Sequence, residues 1–130
     1  LVEFGSTVAV LLIVAGCGNP DAPRVSGSTE QAMVKGIVKI RGKPATNGEV
    51  SFRAFNINRP NVPLKTASIE KDGRYTAQVY IGENFVEVHC KEISGRKNLA
   101  LLENEQPVKI RSGEQILDIE LPPSGPLQPR

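Results

Sequence analysis

Between Met33 and Phe55 the sequence MVKGIVKIRGKPATNGEVSFRAF alternates apolar and polar side chains twice, with turn residues between. Val34, Gly36, Val38 and Ile40 are interleaved with Lys35, Ile37, Lys39 and Arg41, and Val50, Phe52 and Ala54 with Glu49, Ser51 and Arg53. A period of two puts one set on each face, so both runs predict half-buried β-strands. The clusters Gly42-Lys43-Pro44 and Asn47-Gly48 predict turns between them. Two strands cannot cover their own apolar face, so the chain must supply further strands to close a core.

The remainder repeats this pattern at short intervals. Residues 56–63, NINRPNVP, read as a polar loop and Leu64–Ile69 as a short strand. Glu70-Lys71-Asp72-Gly73 predicts a tight turn in which Gly73 takes a positive φ and Asp72 bonds the nearby backbone. In Arg74–Ile81, Tyr75, Ala77, Val79 and Ile81 share one face and Arg74, Thr76, Gln78 and Tyr80 the other. Gly82-Glu83 turns the chain into Phe85–Glu92, where Val86, Val88 and Cys90 oppose Glu87, His89 and Lys91. Ile93–Gln106 has no clear period, and Asn98–Glu103 fits either one helical turn or a poor strand. Pro107–Arg111 and Ile116–Leu121 flank the turn Ser112-Gly113-Glu114. Twelve Gly and ten Pro against six aromatics suit many short strands joined by turns. Seven strands so spaced predict an all-β fold, a seven-stranded antiparallel β-sandwich over residues 33–121, with a disordered tail over 122–130. Its expected core is Val38, Ile40, Val50, Phe52, Tyr75, Ala77, Val79, Val86, Val88, Val108, Ile110, Leu117 and Ile119.

Before the domain, Val8–Gly16 is an apolar run, VAVLLIVAG. It is too short for a bilayer span, which takes roughly 20 residues, but has the length of a signal-peptide h-region. Its end, Val14-Ala15-Gly16-Cys17, resembles the lipobox of bacterial lipoproteins. The resemblance implies cleavage before Cys17 and a diacylglycerol on its thiol, with fatty acyl chains such as palmitate. Small residues let the extended chain enter the peptidase cleft, and Cys supplies the nucleophile. Glu3 is the only charge before Cys17 and no basic n-region precedes the run, a departure that a start site upstream of Leu1 accounts for. The competing reading, a buried first strand with a core cysteine, meets no alternation afterwards, where the chain continues Gly-Asn-Pro-Asp-Ala-Pro. The expected division is a signal peptide over 1–16, lipidated Cys17 with a flexible linker over 17–32, and then the sandwich. The protein is accordingly expected in the cell envelope, anchored to a bacterial membrane on its periplasmic or outer-surface face. About fifteen residues between Cys17 and Met33 reach on the order of 50 Å when extended and average ~20 Å as a coil, which tethers the domain without orienting it. Cys17 is consumed by lipid in this reading, leaving Cys90 unpaired and buried.

The segments GIVKIRGKPATNGEVSF, IEKDGRYTAQV and GENFVEV, in that order, resemble the carboxypeptidase-regulatory-like domain. Gly36, Gly42, Pro44, Val50, Phe52, Asp72, Gly73, Tyr75, Gly82 and Val88 fall on its pattern. Glu70 stands where the family usually has Asp, and Phe85 lies one residue beyond the Gly-x-aromatic spacing. The likeness covers about Val34–Leu121 and implies a transthyretin-like (prealbumin-like) sandwich. The chain as a whole is similar to small lipoproteins that pair a lipobox with this one domain.

Function classes narrow by what chemistry requires. The formal charge is +2, or +3 once residues 1–16 with Glu3 are removed, and no dense basic run argues for nucleic acid. Lys35, Lys39 and Arg41 could line one sheet face, where a solvated surface is the ordinary reading. His89 is the single histidine, which leaves no N/S ligand spacing for a metal. It also fails the several-His requirement of transthyretin-like hydrolases of hydroxyisourate and of ring-cleaving dioxygenases of related shape. No serine or threonine sits in a nucleophile elbow and no phosphate loop follows a strand. The expectation is therefore no catalytic residues, no cofactor and no metal. Tyr75 reads as core, and Tyr80, on the polar face, could stack on a sugar. The leading reading is a non-catalytic envelope interaction or scaffold module, with the membrane as partner through Cys17 and another envelope protein or glycan as a further one. The alternative is a glycan- or small-ligand-binding module using the loops Asn56–Pro63 and Ile93–Gln106.

Overall fold

The computed structural model describes residues 26–95 and 98–130; the expected signal segment, Cys17 and the first part of the expected linker lie outside them. Among the described residues, nine strand segments fold into two sheets: β1 (Gln31–Ile40), β2 (Lys43–Pro44), β3 (Gly48–Arg53), β4 (Lys65–Ile69), β5 (Arg74–Tyr80), β6 (Gly82–Cys90), β7 (Gln106–Ile110), β8 (Glu114–Ile116) and β9 (Ile119–Leu121). A 3-10 turn at Lys91–Ile93 and one helical turn, α1 (Leu99–Leu102), follow β6. The undecided segment at 98–103 is thus helical at its centre. In the first sheet β1 is central, with β2 and β5 antiparallel to it and β8 and β9 parallel to it; the second runs β4-β3-β6-β7, all antiparallel.

The alternation read from the sequence is the alternation of burial. Val34, Val38, Val50, Phe52, Val79 and Leu117 are fully buried, and every other residue of the expected core is also inside. Phe52 and Tyr75 meet across the two sheets with ring centroids 6.2 Å apart, so the mainly β fold is sandwich-like. Gly73 has φ +87°, and its carbonyl accepts the Val38 N–H at 2.8 Å. The Glu70–Arg74 turn closes through Gly73 N–H to Glu70 O and Glu70 N–H to Arg74 O, at 2.9 and 2.8 Å. It joins strands of different sheets, carrying the chain over one edge of the core.

Three expectations require correction. The first concerns the turn after β1. Arg41 and Gly42, with φ of +51° and +82°, form a two-residue turn of the kind hairpins favour. Lys43 and Pro44 then run back as β2, paired with Ile40 and Lys39.

The second concerns the closing strand and its direction. Seven antiparallel strands were expected, but Ile116–Leu121 splits into β8 and β9, both parallel to β1. β7 ends beside Gly82, at the end of the molecule where β1 begins. The turn at 111–113 therefore delivers β8 alongside the start of β1, pointing the same way. The split has a local cause. Leu117 N–H still reaches Lys35 O at 2.8 Å, but its carbonyl turns inward and accepts the Tyr75 hydroxyl at 2.5 Å. The Asp118 carboxylate stands in for it, accepting the Ile37 N–H at 3.0 Å. A Cβ on Gly36 would lie 1.9 Å from that carbonyl, so only glycine permits the approach.

The third correction concerns both ends of the domain. β1 starts at Gln31, and residues 26–30 of the expected linker lie against the sandwich. The 122–130 segment, expected to be disordered, folds back: Arg130 and Ile116 exchange two backbone hydrogen bonds at 2.9 Å, and Arg130 pairs with Asp118 at 2.6 Å. Leu127 packs on the core. The returning chain occupies the free edge of β8, an edge that would otherwise offer unpaired backbone groups.

Candidate functional site

The most elaborated region is the end of the sandwich at which the described chain begins. Arg59, in the polar loop after β3, is buried with 3% of its surface exposed. Its guanidinium donates to four backbone carbonyls: Ala54 at 2.6 Å, Ser28 at 2.8 Å, Ile81 at 2.6 Å and Glu83 at 2.9 Å. A buried cation is tolerable only when its donors are satisfied, and here one planar fork ties three segments together through four carbonyls. Around it, Asn56 forms a tight turn with Arg59: its side-chain oxygen accepts the Asn58 and Arg59 N–H groups at 2.7 and 3.2 Å. The Asn56 amide also donates to Ser26 O at 2.9 Å, and the Ser26 N–H reaches the Glu83 carboxylate at 2.9 Å. That last bond is the chief reason the Glu83 carboxyl sits below its ordinary pKa, against a partial upward push from burial, with Lys109 and Arg59 adding smaller downward effects.

Apolar side chains stand in water on and around this turn. Ile57 at its tip is 86% exposed, followed by Leu64 at 56%, Phe55 at 49% and Phe85 at 40%. Arg53 lies between the two phenyl rings, its guanidinium carbon 5.0 Å from the Phe55 centroid and 4.8 Å from that of Phe85, and it pairs with Glu105 at 2.5 Å. Below them is a mostly apolar groove of about 380 Å³ bounded by Phe55, Asn84, Phe85, Pro107 and Leu127. Asn84 occupies the position two after Gly82 where the family pattern has an aromatic. It is buried, donates to Tyr80 O and Gly82 O at 2.8 and 3.2 Å, and leaves its Oδ1 unpartnered, while Phe85 faces outward.

Other residues singled out in the sequence are placed differently. Tyr80, expected on the open face as a sugar platform, is 7% exposed, with the Lys65 ammonium 5.2 Å above its ring. The alternation of β5 ends there, with Val79 and Tyr80 both buried as the chain bends into the second sheet. His89 is outward and pairs with Glu87 at 3.0 Å. Lys35 of β1 pairs with Glu114, and Arg41, in the turn after β1, donates to Asn98 at 2.5 Å, so these two basic residues act separately. Cys90 is a free, buried thiol whose pKa burial pushes up. The two loops proposed to bind a ligand together are divided by the length of β6: residues 56–63 flank its start, and the Lys91–Ile93 turn with α1 flanks its end. A larger depression of about 520 Å³ lies on the first sheet beside Ile37, Arg74, Ile116, Asp118 and Arg130. Charges of both signs rim it and Arg130 is spent on Asp118.

Sequence reasoning missed Arg59 and two further buried amides. Asn104 mimics a strand residue: its Oδ1 accepts the Val88 N–H at 2.7 Å and its Nδ2 donates to Val88 O and Leu101 O at 2.8 and 2.7 Å. Gln115 closes the β7–β8 turn through Arg111 N–H and O at 2.9 and 2.6 Å. Among the described residues no group of three or more His, Cys, Asp or Glu is placed to hold a metal.

No model of a known protein family matches the chain, and no curated protein does. Among solved structures it is similar to two DUF3823 family proteins, β-rich in fold. One is from Parabacteroides merdae, with 11% identity, a TM-score of 0.48, and coverage of 78% of this chain and 47% of that one. The other is from Bacteroides ovatus, with 14% identity, a TM-score of 0.48, and coverage of 70% and 43%. The chain thus spans about half the length of these neighbours.

Proposed function

We propose that this protein is a lipid-anchored, non-catalytic interaction module of the bacterial cell envelope, built on a transthyretin-like sandwich of the carboxypeptidase-regulatory-like kind. The observation that carries the reading is Val14-Ala15-Gly16-Cys17 at the end of an apolar run of signal-peptide length, joined by a short polar segment to a folded β domain. Two or three acyl chains on Cys17 hold a protein to a bilayer where one chain binds only marginally. The domain then meets its partners through its loops and outer faces. Intact-mass measurement of the membrane fraction tests this directly. The expected mature chain begins at Cys17 and carries a diacylglycerol, and Cys17→Ser leaves the protein unprocessed or misplaced. A mature chain beginning elsewhere, or a Cys17–Cys90 disulfide, overturns it. A second reading, a glycan- or small-ligand-binding module, draws on the exposed Phe55 and Phe85 flanking Arg53. It is separated from the first by a glycan array.

A further inference from the structure

Resting on the lipid-anchor reading, we infer that the sandwich is held with one end against the bilayer, and that Ile57, Leu64, Phe55 and Phe85 enter the membrane interface there. The argument begins with where the chain attaches. The expected linker ran to residue 32, but Ser26 is already fixed to the domain through Glu83 and Asn56, and Ser28 through Arg59. The tether from Cys17 to Ser26 is therefore nine residues, at most about 30 Å when fully extended. β1 alone, at ten residues, is roughly 33 Å long. To bring the opposite end to the bilayer, the tether would have to run nearly the whole length of the domain at full stretch. Every shorter path keeps the Ser26 end at the bilayer, upright or tilted, so the side chains exposed around that end are the ones that meet lipid.

That end is also the one built for the contact. Ile57 is the tip of the turn pinned by Asn56 and Arg59, and a Cβ on neighbouring Gly27 would lie 3.3 Å from Asn58 Cβ, so tip and tether are adjacent. Leu64 precedes Lys65, the partner of Phe52 in the β3–β4 ladder, which sets Leu64 beside Arg53. Phe85 is across from Arg53 in the β3–β6 ladder. Such a patch, small and apolar, holds a free protein on a membrane only weakly. Anchoring by acyl chains makes its insertion an intramolecular step at high effective concentration. Nearby charge is mixed, with Arg53 paired to Glu105 and Lys109 close to Glu83. The contact is thus apolar, and exchanging anionic for zwitterionic lipid leaves it in place.

The chain contains no Trp, so one introduced indole reports alone. The full-length protein, purified from membranes, is reconstituted into phosphatidylethanolamine–phosphatidylglycerol vesicles with dibrominated acyl chains, as Ile57→Trp and, at the other end, as Leu99→Trp. The expected result is strong quenching of the indole at position 57, at least about threefold over that at position 99. Intact mass on the same preparation reports the lipid on Cys17. Lipidated protein with position 57 unquenched, or with both positions quenched alike, overturns the orientation while the anchor stands. Protein found without lipid removes the anchor reading; the Cys17→Ser chain then tests the patch alone by vesicle flotation. Weak binding that falls about tenfold in Ile57→Glu/Leu64→Glu supports the contact, and absence of binding overturns it. Shielding of the position-57 indole by an envelope protein, with no quenching by brominated lipid, also overturns it.

Discussion

The two ends of the sandwich solve the same problem with different chemistry. At the end where the described chain begins, a buried guanidinium gathers four carbonyls from the entry segment, the β3–β4 loop and the β5–β6 turn. At the other end the loops are held by groups near water: Thr46 N–H and hydroxyl on the Glu92 carboxylate at 2.8 and 2.5 Å, and Arg41 on Asn98 at 2.5 Å. Both ends expose apolar side chains. At the far end Leu99 and Leu102 belong to a four-residue helical turn with no side-chain cap. At the near end Ile57 stands on a turn fixed from inside through Asn56 and Arg59, and Phe85 on strand β6. The difference teaches that exposure alone does not mark a contact surface; rigid presentation does, because less conformational freedom is lost on binding.

The largest perturbation should ignore the distinction between the ends. Phe52 bridges both sheets through Tyr75, so Phe52→Ala should cost roughly 3–5 kcal/mol and destabilise the molecule as a whole, read as a cooperative loss in denaturant melts. Unchanged melting would refute the role given to this residue. Next comes Arg59→Met, which leaves four carbonyls without their donor. Hydrogen bonds to charged groups contribute about 1.5–3 kcal/mol each but are not additive, so a total of about 2–4 kcal/mol is expected. Limited proteolysis should then cut near residues 26–30 and 56–59 before the rest. Arg59→Lys should rescue little, since an ammonium lacks the planar fork. Glu92→Ala at the far end should cost less than about 1 kcal/mol, as for other groups bonded near water. Equal effects of Arg59→Met and Glu92→Ala would erase the comparison.

The smallest effect sharpens it through pH. Glu83 is held below its ordinary pKa in the folded state, chiefly by the Ser26 N–H. At acid pH the unfolded chain therefore takes up this proton before the folded one, and stability falls as pH drops through the lowered value. Protection of the amides at residues 26–28, taken against their intrinsic exchange rates, should fall as pH drops below the ordinary glutamate range, and Glu83→Gln should flatten that response. Glu92 is lowered as well, burial opposing and the Thr46 hydrogen bonds outweighing it. Its acid response should appear around Thr46, away from the entry segment.

Much of the fold was legible because burial in a sheet obeys a period of two. Val38, Phe52, Tyr75, Val88 and Ile119 are inside for the reason their spacing gave, and Gly73 has the backbone conformation its turn required. What escaped were residues whose role depends on partners distant in the chain. Arg59 lies in a polar loop between an Asn and a Pro, where nothing local distinguishes a buried cation from a solvated one. Asn104 and Gln115 lie outside every alternating run, yet their side chains replace backbone partners at the ends of β7. Leu117 carried the signal of a continuous strand, and the interruption arises from the Tyr75 hydroxyl, 42 positions earlier. The boundary of the linker failed similarly: NPDAPRVSGSTEQ has linker composition, but its last residues are captured by Arg59, Asn56 and Glu83.

The most direct test of the central claim, that the end bearing Ser26 and Ile57 faces the bilayer, is hydrogen exchange of the lipidated full-length protein in vesicles compared with the same protein in detergent-free solution as Cys17→Ser. Slower exchange confined to Phe55–Asn58, Leu64–Lys65 and Asn84–Phe85, with Asn98–Glu103 unchanged, is the predicted result. Protection at Asn98–Glu103 instead, or none at either end, would contradict it.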